Sequence, residues 1–276
     1  MNWRQLVVRL LLHHKHAEFA WRFLNACLEA SGDYGGLSVL RFYLAYRATV
    51  RAKVCAIRAG QDRLSAHPNS NGMVECRSYL ELARICLESR SPALIITHGL
   101  PGSGKTTFSQ LALQQTGAIR IRSDVERKRL FGLSAQASSS AHAVDIYSQE
   151  ATRNTYACLQ ELAREILSAG YTVIVDAAFL RQDERDAFQR LAQSMSVPFA
   201  IASLQAGEIA LRARVRLRRN DASEADVVVL EKLMAAQQPL SQREGAYTVR
   251  FTTEEAPDSP SNAKAWSRLS RLLTPD

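Results

Sequence analysis

One eight-residue segment constrains the fold of this chain more than any other. Residues 99–106 read Gly-Leu-Pro-Gly-Ser-Gly-Lys-Thr and fill every fixed position of the G-x-x-x-x-G-K-[ST] phosphate-binding loop. An apolar, β-branched run at 93–97 precedes the loop, and residues 106–115 contain neither Gly nor Pro. A strand, a phosphate-binding loop (P-loop) and a helix are therefore predicted in the order that the motif requires.

The chemistry of this loop predicts its ligand. Glycines let consecutive backbone N–H groups approach phosphate oxygens at the positive end of the following helix. Lys105 is expected to reach the β- and γ-phosphates as a catalytic cation, and the Thr106 hydroxyl to ligate Mg²⁺. We therefore predict ATP and Mg²⁺ as cofactors. The predicted nucleotide-binding residues are Gly99, Leu100, Pro101, Gly102, Ser103, Gly104, Lys105, Thr106 and Thr107.

The hydrophobic periodicity divides the chain into two domains. With 276 residues, of which 46% are apolar, the chain is long enough for one or two cores. Residues 1–90 are predicted to be all-helical, and residues 91–276 alternate between strand and helix patterns. That alternation predicts an α/β fold, with a parallel sheet covered by helices on both faces.

The boundaries of the elements follow from the same patterns. Helices are predicted near 2–12, 16–30, 37–58 and 73–89, with a linker at 60–72. In the second domain, strands are predicted near 93–98, 118–122, 171–176, 198–203 and 247–251, and helices near 105–115, 124–131, 140–168, 182–195, 207–219, 223–237 and 261–272.

Charge and cysteine content bear on partners and compartment. The net charge is +8, and residues 1–91 hold 13 basic and 7 acidic side chains. On the helix predicted at 37–58, Arg47, Arg51 and Arg58 share one face, opposite an apolar series that includes Tyr43, Tyr46 and Ile57. Such a stripe can bind nucleic acid, but a solvated face is the favoured interpretation. Five cysteines without a C-x-x-C pair indicate a cytoplasmic protein, and no apolar run is long enough for a membrane span.

The second strand ends at a group of charged residues. Ligands of open α/β sheets bind at the carboxyl ends of the strands, and Arg122, Asp124 and Arg127 follow such an end. Asp124 is predicted to orient or deprotonate an acceptor hydroxyl, and Arg127 to neutralise charge during the transfer. The alternative is structural: Ser123 and Glu126 have the spacing of a capping box, and Asp124 would be an acid in a first helical turn.

The third strand ends in a second acid. The run at 171–176 is apolar up to Asp176, which is typical of a Walker B strand, and Asp176 is predicted to bind Mg²⁺ directly or through water. Ring-forming ATPases have a glutamate directly after this aspartate to activate water, but here Ala177 and Ala178 follow. This difference argues against an ATP-hydrolysing motor protein. A structural aspartate at the end of a strand is the alternative.

Two further segments are candidates for the site. The helix at 211–219 carries five arginines, and a basic lid could stabilise the transferred phosphoryl group and exclude water. Arg214 and Arg218, which share one face of that helix, are our candidate catalytic lid residues, while spacing alone does not choose between the two faces. Residues 179–181, Phe-Leu-Arg, either line an acceptor pocket or pack against the next helix.

These motifs together carry a family resemblance. Residues 99–107, 121–130, 173–181 and 221–226 resemble the bacterial predicted P-loop kinases of the zeta-toxin and polynucleotide-kinase-like group, over about residues 92–255. The resemblance implies a fold similar to gluconate-kinase-type and chloramphenicol-phosphotransferase-type enzymes. Such proteins also resemble polynucleotide 5′-hydroxyl kinases in an Asp-x-x-Arg spacing, which Asp124 and Arg127 match here.

The N-terminal region has a resemblance of its own. Residues 23–26, 32–34 and 41–53 look like the last helices of an aminoglycoside-phosphotransferase-like domain, which precedes this kinase module in many bacterial relatives. No His-Gly-Asp-x-His-type loop precedes them, so aminoglycoside phosphorylation is not implied.

The sequence therefore predicts a cytoplasmic, ATP-dependent kinase that phosphorylates a hydroxyl of a small molecule. Two alternatives remain open at this stage. One is a nucleotide-binding regulatory module without transfer activity, and the other is a polynucleotide 5′-hydroxyl kinase. The acceptor, the base preference and the oligomeric state are not predicted.

Overall fold

A computed structural model of the chain describes residues 17–62, 72–88, 91–135, 137, 146–217, 223 and 227–274. The chain divides into two units, Met1–Arg90 and Ser91–Asp276. The helix predicted near 2–12 and most of the linker predicted at 60–72 lie outside the described residues. In the described part of the chain, no helix has the length and apolar character needed to cross a membrane.

The described part of the first unit consists of helices. They are α1 (Ala17–Ser31), α2 (Leu37–Asp62) and α3 (Gly72–Leu87), close to the predicted bounds. Small side chains let α2 and α3 approach, and Ala52, Cys55, Cys76 and Tyr79 form a buried cluster between them.

The predicted apolar face of α2 is wrong. Tyr43, Tyr46 and Ile57 are 43%, 55% and 51% exposed, whereas the buried face carries Leu, Ala and Cys side chains at 40, 44, 48, 52, 55 and 59. Alanines gave little hydrophobic signal, yet they allow the closest helix packing. Arg51, predicted on a solvated stripe, places its guanidinium 5.7 Å from the ring centroid of Tyr79.

The second unit is built on a five-stranded parallel sheet. The strands are β1 (Leu94–His98), β2 (Ile119–Arg122), β3 (Val173–Asp176), β4 (Phe199–Gln205) and β5 (Thr248–Thr252), in the order β2-β3-β1-β4-β5. In the centre, Ile95 pairs with Ile174 on one side and Ala200 on the other. β1 and β3 are fully buried, which explains their apolar, β-branched sequences.

Helices flank this sheet and confirm the predicted α/β class. They are α4 (Lys105–Thr116), α5 (Ser123–Leu130), α6 (Gln149–Ser168), α7 (Gln182–Ser194), α8 (Glu208–Leu217), α9 (Val227–Ala236) and α10 (Pro260–Leu273), with a 3₁₀ turn at Glu244–Ala246. Phe108, Phe251 and Trp266 join α4, β5 and α10 through ring contacts of 4.7 to 5.1 Å.

One helix begins later than the periodicity predicts. The helix predicted at 140–168 starts at Gln149, and residues 138–145 lie outside the described part. Ser148 is the N-cap, and its hydroxyl accepts a hydrogen bond from the Ala151 N–H at 3.1 Å. Tyr147 therefore precedes the helix, although it continues the 3.6-residue spacing.

A buried ion pair joins α7 to the segment before β5. Arg185 Nε donates to Glu244 Oε1 at 2.5 Å, and both side chains are buried. The guanidinium also donates to the carbonyls of Phe179 and Pro239, while Ser241 donates to Glu244 through its N–H and its hydroxyl. Because these hydrogen bonds satisfy both partners, the pair can stay charged inside the protein.

Candidate active site

The strand order brings the two nucleotide motifs together. β1 leads into the P-loop and β3 ends at Asp176, and these strands are neighbours in the sheet. Parallel neighbours end at the same edge, where open sheets bind ligands. A cavity of about 850 Å³ opens there. Among the predicted site residues, Pro101, Gly102, Gly104, Lys105, Thr106, Thr107, Asp124, Arg127, Asp176 and Arg214 line it.

The P-loop needs its glycines for close approach. Gly99, Gly102 and Gly104 have φ values of 153°, 83° and 86°, which confirms the predicted positive φ. A Cβ on Gly102 would lie 2.9 Å from the carbonyl oxygen of Leu211, and one on Gly99 would lie 2.7 Å from that of Leu204. The loop is therefore pressed against neighbouring backbone and keeps the cradle shape that a phosphate requires.

Lys105 is the first residue of α4 and is held by the loop itself. Its Nζ donates hydrogen bonds to the carbonyl oxygens of Gly99 and Leu100, both at 2.9 Å. The ammonium group thus lies against the loop, beside the positive end of the helix. That is the position from which a lysine can contact phosphate oxygens.

The donor set around Asp176 fits a magnesium ion. Asp176 Oδ2 accepts a hydrogen bond from Ser109 Oγ at 3.0 Å and lies 4.0 Å from Arg122 Nε. Both contacts use Oδ2, and the described residues give Oδ1 no partner, so one oxygen is left for Mg²⁺ or its water. With the Thr106 hydroxyl in the same cavity, the two residues offer the hard oxygen ligands that Mg²⁺ prefers.

Ser109 was not identified from the sequence. Its hydroxyl lies between Asp176 and Arg120, whose Nη1 is 3.5 Å away. The signal was available, because Ser109 is three residues after Thr106 and so faces the same side of α4.

Asp124 lies in the first turn of α5 and lines the cavity. The alternative that assigned this turn to a capping box is wrong. The helix begins at Ser123 with Arg122 as the N-cap, and no side chain makes a cap hydrogen bond. Glu126 instead pairs with Arg129, one turn later. A capping box therefore does not explain the acids of this turn, whereas Asp124 does lie in the first turn, where an acid interacts favourably with the helix dipole.

Arg127 is a buried member of the cavity wall. Its Nη1 donates to the Ile146 carbonyl at 2.9 Å and to Thr152 Oγ1 at 3.2 Å, and its guanidinium lies 5.3 Å from the Tyr147 ring centroid. Nε is buried and has no hydrogen-bond partner among the described residues. Arg127 thus fixes the chain ahead of α6 and keeps an unsatisfied donor.

The two candidate lid arginines differ in their placement. Arg214, on α8, donates to the Gly102 carbonyl at 3.2 Å and to Thr253 through Oγ1 at 2.9 Å and the carbonyl at 2.7 Å. Arg212 faces away from the loop and pairs with Glu208 and Glu231. Arg218 lies outside the described residues. The Arg214 face of α8 is therefore the one that meets the P-loop.

The turn after Asp176 has an unusual backbone. Phe179 has a φ of 48° and is fully buried between the rings of Tyr156 and Phe188. Its N–H donates to Tyr156 Oη at 3.1 Å, and its carbonyl accepts from Arg185. Packing and hydrogen bonds thus impose a conformation that phenylalanine rarely adopts. Of the 179–181 segment, Leu180 and Arg181 line the cavity, whereas Phe179 packs against α7.

Two polar residues of the cavity, Tyr156 and Glu184, were not predicted from the sequence. Burial first, and then the charge of Glu184, raise the pKa of Tyr156 far above its ordinary value, so the phenol stays protonated. Burial likewise raises the pKa of Glu184. Each residue sits on a helix with many other polar side chains, so the sequence pattern did not distinguish them.

His98 lies directly before the P-loop as a neutral side chain. Burial, Arg185 and Lys105 lower the pKa of His98 to about 4. Its Nδ1 is 3.1 Å from Ser203 Oγ, and its Nε2 is 3.4 Å from Gln237 Nε2.

A second cavity of about 370 Å³ adjoins the first turn of α4. It shares Gly104, Thr107 and Arg214 with the larger cavity. Thr253, Glu255, Pro257 and Trp266 are among its other lining residues.

Comparisons with known proteins agree with this geometry. A family model described as an AAA domain matches residues 94–240, more than half of the chain. An uncharacterized protein of Mycobacterium tuberculosis and one of Mycobacterium bovis are 32% identical over 180 residues, which is 62% of this chain and 33% of theirs. The chain thus spans about a third of the length of these curated relatives.

Solved structures share the fold at low identity. A sugar kinase from Janibacter sp. has a TM-score of 0.51 at 17% identity, over 67% of this chain and 99% of its own. Chaetomium thermophilum Kti12, in complex with ADP-AlF3, has a TM-score of 0.51 at 17% identity, over 66% and 100%. A putative kinase from Chloroflexus aurantiacus has a TM-score of 0.50 at 21% identity, over 67% and 100%. The second unit therefore has a P-loop kinase-like fold, and the chain belongs to the AAA domain family AAA_33.

Proposed function

We propose that this protein is an ATP-dependent kinase that transfers the γ-phosphoryl group to a hydroxyl of a small molecule. The proposal rests on the residues that line the larger cavity. Beside the P-loop and Asp176, the cavity is lined by Asp124, Tyr156 and Glu184, which a triphosphate does not need. A volume of about 850 Å³ has room for a second ligand next to the phosphates.

The donor nucleotide would lie across both cavities. The P-loop amides and Lys105 would hold the triphosphate, while Thr106 and Asp176 would hold Mg²⁺, which neutralises charge between the β- and γ-phosphates when it is bound. The base would enter the smaller cavity, where Arg214 and Trp266 offer faces for stacking.

The acceptor would lie beside the carboxyl end of β2. Asp124 would accept the proton of the attacking hydroxyl or orient it, and Arg122 and Arg127 would face the developing charge. Because Arg214 is bonded to Gly102 and Thr253, we assign it to holding the loop, and Arg218 stays a predicted lid residue. Such a site would act by positioning and electrostatics.

The finer resemblances remain predictions. The likeness to zeta-toxin and polynucleotide kinases rests on the sequence motifs, as does the interpretation of residues 1–90 as the end of an aminoglycoside-phosphotransferase-like domain. Magnesium and a cytoplasmic location belong to the same proposal.

An Asp124→Asn variant tests the assignment of the proton acceptor. Asparagine keeps the shape of the side chain but cannot take up a proton, so we expect ATP to bind as before while phosphoryl transfer falls by about 100-fold or more. Calorimetry with Mg·ATP measures binding, and transfer of label from γ-labelled ATP to a panel of hydroxyl compounds measures activity. Asp258→Asn, an exposed change, is the matched control.

Each other outcome has its own meaning. Full transfer by Asp124→Asn would remove Asp124 from catalysis. ATP binding without transfer to any acceptor would favour the regulatory module, and transfer to oligonucleotide ends would favour the polynucleotide kinase. A well-folded protein without affinity for any purine nucleotide in the presence of magnesium would contradict the whole proposal.

A further inference from the structure

We propose that Glu184 recognises the acceptor by accepting a hydrogen bond from one of its hydroxyl groups, and that the acceptor is a neutral, polyhydroxylated ring. This inference rests on the proposed kinase function and adds the substrate class. It starts from the lining of the large cavity outside the P-loop, which includes Tyr156, Leu180, Glu184 and residues of α9.

Glu184 is oriented by the start of its own helix. The backbone N–H of Arg181, the N-cap of α7, donates to Oε2 at 3.4 Å. The Tyr156 hydroxyl, which accepts the Phe179 N–H, lies close enough for Tyr156 and Glu184 to influence each other's pKa. A carboxylate has about four acceptor positions, so the one backbone donor leaves most of them for a ligand.

No ion pair within the described part of the chain neutralises this acid, although the charge of Arg181 acts on it from nearby. The buried glutamates of the described second unit are paired, Glu126 with Arg129 and Glu244 with Arg185, whereas no ion pair reaches the partly buried Glu184. Arg181, three residues earlier, pairs with Asp183, and Arg185, the next residue, pairs with Glu244. A desolvated carboxylate without an ion pair costs stability, and such groups concentrate at binding sites.

The charges around the cavity select the chemistry of the ligand. A cationic acceptor would face Arg122, Arg127 and Lys232, which line the same cavity. An anionic acceptor would be repelled by Glu184. A neutral hydroxyl suits both, because it donates to a carboxylate without adding charge.

Aliphatic side chains share the lining with these polar groups. Leu180, Val229, Leu233 and Ala236 line the same cavity. A ring with several hydroxyl groups has a polar edge and an apolar C–H face, so it can contact both kinds of side chain at once, whereas a simple alcohol offers little apolar surface.

The test compares acceptors and variants in the full chain. The probes are myo-inositol, D-glucose and D-ribose as neutral rings, glucosamine as their cationic counterpart and 1-propanol as a simple alcohol, each with γ-labelled Mg·ATP. The variants are Glu184→Ala, Glu184→Gln and Tyr156→Phe. Glu165→Gln is the control, since Glu165 is exposed on α6, the helix that carries Tyr156.

We expect the wild type to phosphorylate at least one neutral ring in preference to glucosamine and 1-propanol. Glu184→Ala should raise the KM for that ring by about 10- to 100-fold, as expected for the loss of a hydrogen bond to a charged group, with little change in kcat or in the KM for ATP. Glu184→Gln should recover part of the loss because its amide oxygen still accepts. Tyr156→Phe should have a smaller effect of the same kind, and Glu165→Gln none.

Three results would overturn the inference. They are an unchanged KM in Glu184→Ala, a preference for glucosamine, and transfer to other hydroxyl compounds but to none of the rings. In each of them ATP binding and transfer persist, so the proposed function stands while the substrate class fails. If Glu184→Ala does not fold, Glu184→Gln and Tyr156→Phe decide by the same change in KM.

Discussion

At the scale of single residues, the P-loop depends on contacts that only glycine permits. Gly102 combines a φ of 83° with an approach to the Leu211 carbonyl, and its own carbonyl accepts from Arg214. The residue is thus fixed from α8, and its N–H is one of those that would face a phosphate. A side chain there would push the loop away from α8.

A Gly102→Ala variant should therefore lose nucleotide affinity. The new Cβ would lie 2.9 Å from a backbone oxygen that cannot move without α8, so we expect Mg·ATP binding to weaken by about tenfold or more. Gly132→Ala is the control, because Gly132 also has a positive φ, of 70°, but has open space around a Cβ. Calorimetry on both variants separates backbone strain from steric contact. Equal losses in both would contradict this account.

At the scale of elements, α8 acts as a cover on the P-loop. Leu211, Val215 and Leu230 form a buried cluster against which Leu100 of the loop packs. Arg214 adds hydrogen bonds to the loop and to the residue after β5. The position of the loop thus depends on an element more than 100 residues away in sequence.

Replacing Arg214 by alanine should loosen this cover. We expect the KM for ATP to rise by about 10- to 100-fold, because the variant loses charge-assisted hydrogen bonds to Gly102 and Thr253. Arg212→Ala is matched in chemistry and helix but removes only pairs with Glu208 and Glu231, so its KM should stay near the wild-type value. Steady-state kinetics on both variants is the measurement. An equal rise in both would point to α8 as a whole instead of Arg214.

At the scale of the whole molecule, two titratable groups, His98 and Glu244, contribute to the response to acid. His98 has a pKa of about 4 in the folded protein, and its ordinary value is 6.5. Between pH 6.5 and 4, His98 is therefore protonated in the unfolded chain but not in the folded one. Burial by itself raises the pKa of Glu244, but hydrogen bonds from Arg185 and Ser241 outweigh it and lower the pKa below the ordinary value. Both groups therefore favour the folded state at neutral pH.

The free energy of unfolding should fall as the pH drops from about 6.5 to 4, by up to about 3 kcal/mol from His98 alone. Below that range, protonation of Glu244 should reduce it further. Urea denaturation at a series of pH values measures this profile. A His98→Gln variant should show a flatter profile between pH 6.5 and 4, whereas Glu165→Gln should reproduce the wild-type slope. A wild-type profile that is flat over this range would contradict the assignment.

Much of the fold was predictable because its signals are local. The P-loop spelling and the apolar runs at β1 and β3 predict roles for Lys105 and Asp176 in a nucleotide site, and the strand order brings the ends of these two strands to one sheet edge. Tyr156 and Glu184 were not predicted, because their roles arise from a turn at Phe179 that brings two helices to one cavity wall. Contacts between residues that are far apart in the sequence produce no periodic pattern that could reveal them.

The late start of α6 and the exposed aromatic residues of α2 show the same limit. Tyr147 continues a helical spacing, but the Ser148 cap and the contact of Arg127 with the Tyr147 ring fix the helix start. On α2, the aromatic residues appeared to mark the core, yet alanines fill it because α3 packs so closely. Periodicity identifies a helix more reliably than it identifies the face that is buried.

The contacts of Lys105 have a consequence for how a ligand would enter. The ammonium group is already bound to the loop, where two carbonyl oxygens occupy the hydrogen bonds that phosphate oxygens would accept. A triphosphate would therefore bind an ammonium group that is already partly desolvated, so binding would carry a smaller desolvation cost. We expect the resting loop to resemble the loaded one, and association to require a short swing of one side chain and no refolding of the backbone.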